Sequence, residues 1–165
     1  MYFEGYVEFI DMSVSNIDNV TFLKDYFFPV KYRGNILPKY YVDSRGQIFS
    51  VKKGYRTPTK ITYNNNSGNC GYPKIRIDTS PDLSFTLYKT VTVHRLVCES
   101  FYKKPIPHGV TKKEWQLTPE SVKKCFDDYW EVNHKDHNTY NYHPSNLEWV
   151  SRQQNVDKYQ EYLKG

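Results

Sequence analysis

A chain of 165 residues with a formal net charge of +5 has room for one domain or one and a half, and for a buried core. It contains no run of ~18 apolar residues and no charged-then-apolar leader, so neither a helical membrane span nor a signal peptide is expected. Cys70, Cys98 and Cys125 are odd in number and form no C-x-x-C pair. They therefore predict neither a disulfide framework nor a cysteine-ligated zinc, and they fit a reducing cytoplasm.

The charge is unevenly spread. Residues 1–30 carry one Lys against five acidic residues, residues 31–89 carry eleven Lys/Arg against three Asp, and residues 90–165 are close to balance with eleven against ten. The middle third is thus the expected footprint for a polyanion. Aromatic residues reach 17%, sixteen of them Tyr, which suits half-buried sheets and nucleic-acid surfaces alike.

In chain order, the acidic and aromatic residues 1–30 predict a strand or short helix packed on the body. Tyr40–Val42, a turn at Asp43-Ser44-Arg45-Gly46, and Gln47–Val51 predict a β-hairpin. Lys52, Lys53, Arg56 and Lys60 follow, interleaved with Tyr55, Tyr63 and Tyr72. Phosphate contact is expected of them, with a solvated basic loop as the alternative. Residues 63–71 predict a polar turn. Lys74–Ile77 and Phe85–Tyr88 alternate apolar and polar residues, predicting strands with Phe85 and Leu87 inward and a wet face carrying Lys74 and Arg76. Val91–His94 should extend that sheet and feed a helix over Arg95–Tyr102.

Residues 108–128 read as an insertion. Thr118-Pro119-Glu120 marks a helix start with Pro at its first position, and Leu117, Val122, Cys125 and Phe126 supply a packing side. Lys112, Lys113, Lys123 and Lys124 either contact a polyanion or coat a packing helix.

Trp130–Lys158 holds the densest set of chemical groups. Trp130–Asn133 predicts a strand, residues 134–146 a polar loop, and Leu147–Val150 a second strand. Ser151 and Gln154 form a capping box that starts a helix. Val156, Tyr159 and Leu163 would turn one apolar stripe toward the hairpin. His134 ends the first strand and Asn155 lies in the first turn of the helix. Because successive strand residues point to opposite faces, Asn133 and His134 share a site only where the strand ends and twists.

The run V-N-H-K-D-H-N-x-x-N-x-x-x-x-N-L-E-W-V, followed by Q-N-V, resembles the HNH endonucleases (the ββα-metal or His-Me finger group), in particular those of phage and intron-encoded homing type. Upstream, Val93-His94-Arg95-Leu96-Val97 with Phe101 resembles their V-H-R-L-V-x-x-x-F segment, and the hairpin at residues 40–51 resembles their N-terminal module. The resemblance covers residues 91–101 and 130–157. It implies an α+β fold in which an N-terminal antiparallel β-sheet (residues 1–90) joins a ββα-metal nuclease core (residues 91–165).

As roles, the resemblance implies His134 as general base, Asn133 and Asn155 as ligands of one Mg²⁺ or Mn²⁺, and Asn146 as the amide that pins the loop and orients His134. An imidazole titrates near working pH, and amide oxygens suit a hard cation that keeps water and phosphate oxygens in its other positions. The expected partner is double-stranded DNA, held through Arg45, Lys52, Lys53, Arg56, Lys60, Lys74 and Arg76. A monomer nicking one strand is expected, phage-encoded and acting in a host cytoplasm, without a C-terminal helix-turn-helix module. Asn133 departs from the Asp of some relatives, which weakens metal binding, and His137 stands where Gly is common. His94 occupies a slot that is mostly structural, and His108 and His143 read as surface residues. The alternative is a DNA-binding or partner-binding protein on a degenerate fold of this kind, or a nuclease acting on RNA or without specificity.

Overall fold

Strand-forming residues fill the basic half of the chain and pair antiparallel throughout. The computed structural model describes residues 7–8, 26–52, 55–63, 71–80 and 87–165. The expectations for the remaining N-terminal residues, for Lys53, for most of the 63–71 turn and for Phe85 lie outside these, as do the side chains of Lys52 and Tyr55.

Strands β1 (Val7–Glu8), β2 (Tyr26–Tyr32), β3 (Asn35–Asp43), β4 (Ile48–Lys52) and β5 (Tyr55–Pro58) form one sheet in sequence order. The β2–β3 connection is a two-residue turn in which Arg33 and Gly34 both adopt positive φ, 50° and 77°. Such turns match the twist of the flanking strands. Along β3, Leu37, Tyr40 and Val42 point into the core.

The predicted hairpin at residues 40–51 is formed by β3 and β4. Its turn is built on Asp43, buried to 1% exposure, whose carboxylate accepts from the backbone N–H of Arg45 (2.9 Å) and of Gln47 (2.8 Å) and pairs with the Arg45 guanidinium (3.0 Å). Gly46 follows at φ +88°, and a Cβ there would lie 2.7 Å from the carbonyl oxygen of Tyr142. Only glycine combines that backbone angle with so close an approach. This turn thereby sets the first sheet against the 135–146 loop. Gly46→Ala is expected to destabilise the fold by about 1–3 kcal/mol, read as a lower urea midpoint at unchanged slope. An unchanged midpoint would remove this approach as a determinant of the fold.

A second, two-stranded sheet comprises β6 (Lys74–Asp78) and β7 (Tyr88–Thr92), with Ile75 opposite Val91. Ile75, Ile77 and Val91 are buried, and Lys74 and Arg76 occupy the other face. Leu87 was expected inward but is 45% exposed. It precedes the strand, and its backbone closes the hairpin by donating to Ser80 Oγ (2.8 Å) and accepting from Thr79 N–H (2.7 Å). Val91 takes the inward place instead.

Helix α1 (Val93–Phe101) begins directly after β7, two residues earlier than Arg95. Val93, Leu96, Val97 and Cys98 are fully buried, and burial pushes the Cys98 thiol up to about 12, so it serves as packing. The helix is tied to the first sheet where Ser100 Oγ accepts from Lys31 N–H (3.1 Å) and Glu99 from Arg33 N–H (2.6 Å). One hydrophobic core runs from Val30 through Ile75 and Leu96 to Trp149, joining the β-rich part to the C-terminal part.

Two short helices fill the insertion: α2 (Lys112–Leu117), capped by a Thr111/Glu114 box, and α3 (Glu120–Cys125). The predicted packing side is corrected here. Leu117 is 77% exposed, Val122 44%, and Cys125 is exposed as well. Six-residue helices present no continuous stripe. Packing falls to a ladder of rings in which Trp115 meets Phe126 at 5.6 Å and Phe126 meets Tyr129 at 6.1 Å. Pro119 caps α3 rather than standing at its first position.

The chain ends in strand β8 (Trp130–His134), strand β9 (Leu147–Ser151) and helix α4 (Arg152–Lys164), with the Ser151/Gln154 capping box in place. The apolar stripe expected to face the hairpin does not. Val156, Tyr159 and Leu163 are exposed, and α4 meets the hairpin through Asn155, Lys158 and Tyr162. The reason lies in what the strands present: Glu131 and Glu148 face α4 and require hydrogen-bond donors, which only the polar side of the helix supplies.

Candidate active site

Alternation along β8 divides the site between two faces of one hairpin. Trp130, Val132 and His134 lie on the face toward α1, where His134 pairs across with Leu147. Glu131 and Asn133 lie on the face toward α4, where Asn133 pairs with Glu148. The side chains of Asn133 and His134 thus straddle the strand's end.

His134 is 4% exposed. Its ring stacks on Tyr72 at 5.9 Å between centroids and meets His94 at 4.9 Å, nearly perpendicular. Nε2 is buried without a hydrogen-bond partner. Burial holds the imidazole below its ordinary pKa of 6.5, against the pull of Asp136 in the other direction. It is therefore an unprotonated, acceptor-competent base near neutral pH.

On the other face, each candidate amide is turned by a carboxylate. Asn133 Nδ2 donates to Glu148 Oε1 and Asn155 Nδ2 to Glu131 Oε2, both at 2.8 Å. A carboxylate only accepts, so each amide must offer its nitrogen there and its carbonyl oxygen elsewhere. Glu148 is also paired with Lys158 (3.0 Å). Burial works to raise its pKa, but the Asn133 amide and Lys158 outweigh it and hold the carboxyl below its ordinary value. Asn133 opens onto a cleft of about 370 Å³ lined by Lys135, His137, Glu148, Lys158 and Glu161.

The connecting loop is closed on Asn146, 9% exposed. Its Nδ2 donates to Asp136 Oδ1 and to the Asn141 carbonyl, both at 2.8 Å, and its Oδ1 accepts from Asp136 N–H at 3.2 Å. Its backbone carbonyl accepts from Lys135 N–H at 2.9 Å. Asn146 therefore fixes the two residues after His134 without touching the imidazole. His137 adopts φ +58°, the angle a glycine would take freely, and its ring stacks on Tyr162 at 4.1 Å.

The basic residues have different surroundings. Arg45 is engaged by Asp43, and the Arg56 guanidinium lies 4.1 Å over the Phe27 ring. Lys60 and Arg76 are exposed, Arg76 resting 4.2 Å over Tyr88, and Lys74 is half-buried. An isolated bridge between Thr62 and Lys74 brings the segment after Lys60 alongside β6. His108 and His143 are exposed or nearly so, and His143 caps the short turn at Pro144–Asn146.

Sequence reasoning missed Tyr72, Glu131, Glu148 and Lys158. The two glutamates were readable in principle, because pairing W-E-V-N-H against L-E-W-V-S places Glu131, Asn133 and Glu148 on one face. No local pattern marks Tyr72, which reaches His134 only through tertiary packing.

A strand, a loop, a second strand and a helix, with a buried histidine at the first strand's end and carboxylate-turned amides on the opposite face, form a ββα unit. Residues 91–157 match the family model described as HNH endonuclease, so this part of the chain is similar to HNH endonuclease domains. Among solved structures, "DNA binding and cleavage by the HNH homing endonuclease I-HmuI" is similar at 25% sequence identity with a TM-score of 0.48. That match covers 76% of this chain and 53% of the other, so the chain spans about half the length of that structure. No curated protein matches the chain. No helix among the described residues is long and apolar enough to cross a membrane.

Proposed function

We propose that the chain is a divalent-metal-dependent DNA endonuclease of the homing type, in which His134 is the general base. The observation that carries this reading is His134 itself: a buried imidazole, its pKa lowered by burial, at the end of β8 inside the matched segment. In the mechanism, Nδ1 takes the proton of a water as that water attacks a phosphodiester in line. Asn146 keeps the loop from sagging onto the base. The part before residue 91 positions the duplex through phosphates, and the part from 91 onward cuts it.

On the α4 face Asn133 and Asn155 carry amide oxygens of the kind a hard cation takes. Asn133 and Asn155 keep carbonyl oxygens free of protein donors, because their nitrogens are spent on Glu148 and Glu131. No cluster of three His, Cys, Asp or Glu suited to a metal occurs among the described residues, so a cation here would take its remaining ligands from water and phosphate oxygens. A divalent cation bound there supplies charge that offsets the developing phosphorane and the leaving 3′ oxygen. Products carry 5′-phosphate and 3′-hydroxyl ends.

One copy of the site implies a monomer that nicks. The test is conversion of supercoiled plasmid to open circle, abolished by chelator. Chelator-resistant cleavage, or binding with no cleavage under Mg²⁺ or Mn²⁺, would favour the binding-protein alternative.

Two further outcomes follow from the same site. Asn133→Asp sets a carboxylate against Glu148, a repulsion that a cation relieves. The Mg²⁺ concentration for half-maximal cleavage is expected to fall, and the variant's melting temperature to drop in chelator and recover with Mg²⁺. An unchanged requirement would remove Asn133 as a ligand. Replacing Lys60, Lys74 and Arg76 by alanine is expected to weaken binding to all sequences alike. The log–log salt dependence should flatten by up to about 0.9 for each phosphate that is no longer neutralised. Retained affinity with altered sequence preference would make these residues base readers.

A further inference from the structure

Two touching imidazoles each carry a buried nitrogen with nothing bonded to it: Nε2 of His134 and Nδ1 of His94. Buried polar atoms are ordinarily satisfied, so two orphans on neighbouring rings call for a partner. His94 stands at the start of α1, 9% exposed, with its other nitrogen, Nε2, 3.4 Å from Thr92 Oγ1. Tyr72 covers both rings, edge-on to His94 at 4.7 Å and stacked on His134. Water therefore reaches neither orphan from that side.

We propose that His94 is the positioning residue for the base, accepting the Nε2–H of His134 on its own Nδ1 and so fixing the tautomer in which Nδ1 of His134 has a free lone pair. The geometry accommodates this bond. At an ordinary hydrogen-bond length of about 2.9 Å, two imidazole centroids stand about 5 Å apart, whatever the twist about the bond. The observed separation is 4.9 Å with planes 80° apart; the two nitrogens are not bonded as the rings stand, and joining them takes a rotation of the rings.

The chemistry is complementary. In the tautomer in which His94 Nε2–H donates to Thr92 Oγ1, Nδ1 is an acceptor, and burial lowers the ring's tendency to take a second proton. His134 lacks any other acceptor for Nε2–H: no carboxylate or backbone carbonyl among the described residues reaches it. A histidine base needs its second nitrogen held, since the wrong tautomer presents an N–H where a lone pair is required. The carboxylates nearest in sequence are occupied elsewhere, Asp136 on Asn141 and Asn146, and Glu131 on Asn155.

This inference rests on His134 as the base, and the experiment separates the two. Long-range ¹H–¹⁵N correlation spectra of the full chain, without DNA, are expected to place the His134 proton on Nε2. In His94→Leu, which keeps the packing and removes the acceptor, that preference should be lost. The same variant should cleave about 10–100-fold more slowly at saturating DNA, with KM for DNA unchanged, while His94→Gln, which retains an acceptor oxygen, recovers part of the loss. A His134 proton on Nδ1 in the parent, or an Nε2–H preference that survives in His94→Leu, would overturn the inference. Full cleavage by His94→Leu while His134→Ala is inactive would also overturn it and leave the base in place. Full cleavage by His134→Ala would instead remove the base.

Discussion

Replacing His134 by alanine is expected to lower DNA cleavage by roughly 10²–10⁴-fold while leaving DNA affinity near that of the parent. The expectation follows from what the imidazole touches. Its ring meets Tyr72, His94 and the end of β8, and it contributes no exposed charge to a phosphate surface. Its removal therefore costs proton transfer in the transition state and little ground-state binding. Burial lowers the His134 pKa from 6.5, and a base works only when unprotonated, so the acid limb of the rate profile should lie below the ordinary imidazole value. The measurement is single-turnover nicking of supercoiled plasmid across pH, with binding followed separately in chelator. Residual cleavage within tenfold of the parent, or an acid limb above pH 6.5, would take His134 out of the chemistry.

Much of the strand, loop and helix over residues 130–164 was legible because its signals are local. The capping box at Ser151 and Gln154, the turn chemistry at Asp136 and Asn138, and the β alternation around Trp130 each act within a few residues. The contents of the faces were less legible. The stripe of Val156, Tyr159 and Leu163 has the right helical period for burial, yet the hairpin presents Glu131 and Glu148, and unmet carboxylates outrank an exposed apolar stripe in choosing the face of α4. The 108–128 segment misled for a related reason. Trp115 and Phe126 find each other across two short helices, and a periodicity argument has no window long enough to detect that. The partnership of Tyr72, His94 and His134 joins three separate stretches of chain, and no spacing rule connects them.

Acidification should unfold this protein earlier than its carboxylates alone would dictate, and His94 is the residue responsible. Burial, with smaller contributions from His134 and Arg95, depresses its pKa from 6.5 to about 3. Below pH 6.5 the unfolded chain binds a proton at this site that the folded protein refuses, so stability rises with pH across the window and is lost as pH falls from about 6.5 toward 3. At about 1.4 kcal/mol per pH unit the full loss is roughly 5 kcal/mol, a large part of the roughly 5–15 kcal/mol typical of a domain. His134, lowered in the same direction, adds to the slope in the same window. Asp78 is separable. Lys39 and Ser80 hold it at about 2, so its contribution disappears only below its ordinary value of 3.8. Among the described residues, the groups around His94 (Thr92, Arg95, Tyr72 and His134) include no carboxylate that would stabilise its protonated form. Urea midpoints of the parent should therefore fall between about pH 7 and about pH 4.5, and those of His94→Leu should fall much less. Equal pH slopes in the two proteins would mean that His94 gains access to water or a counter-charge in the folded state, and that the buried imidazole pair is not held as described.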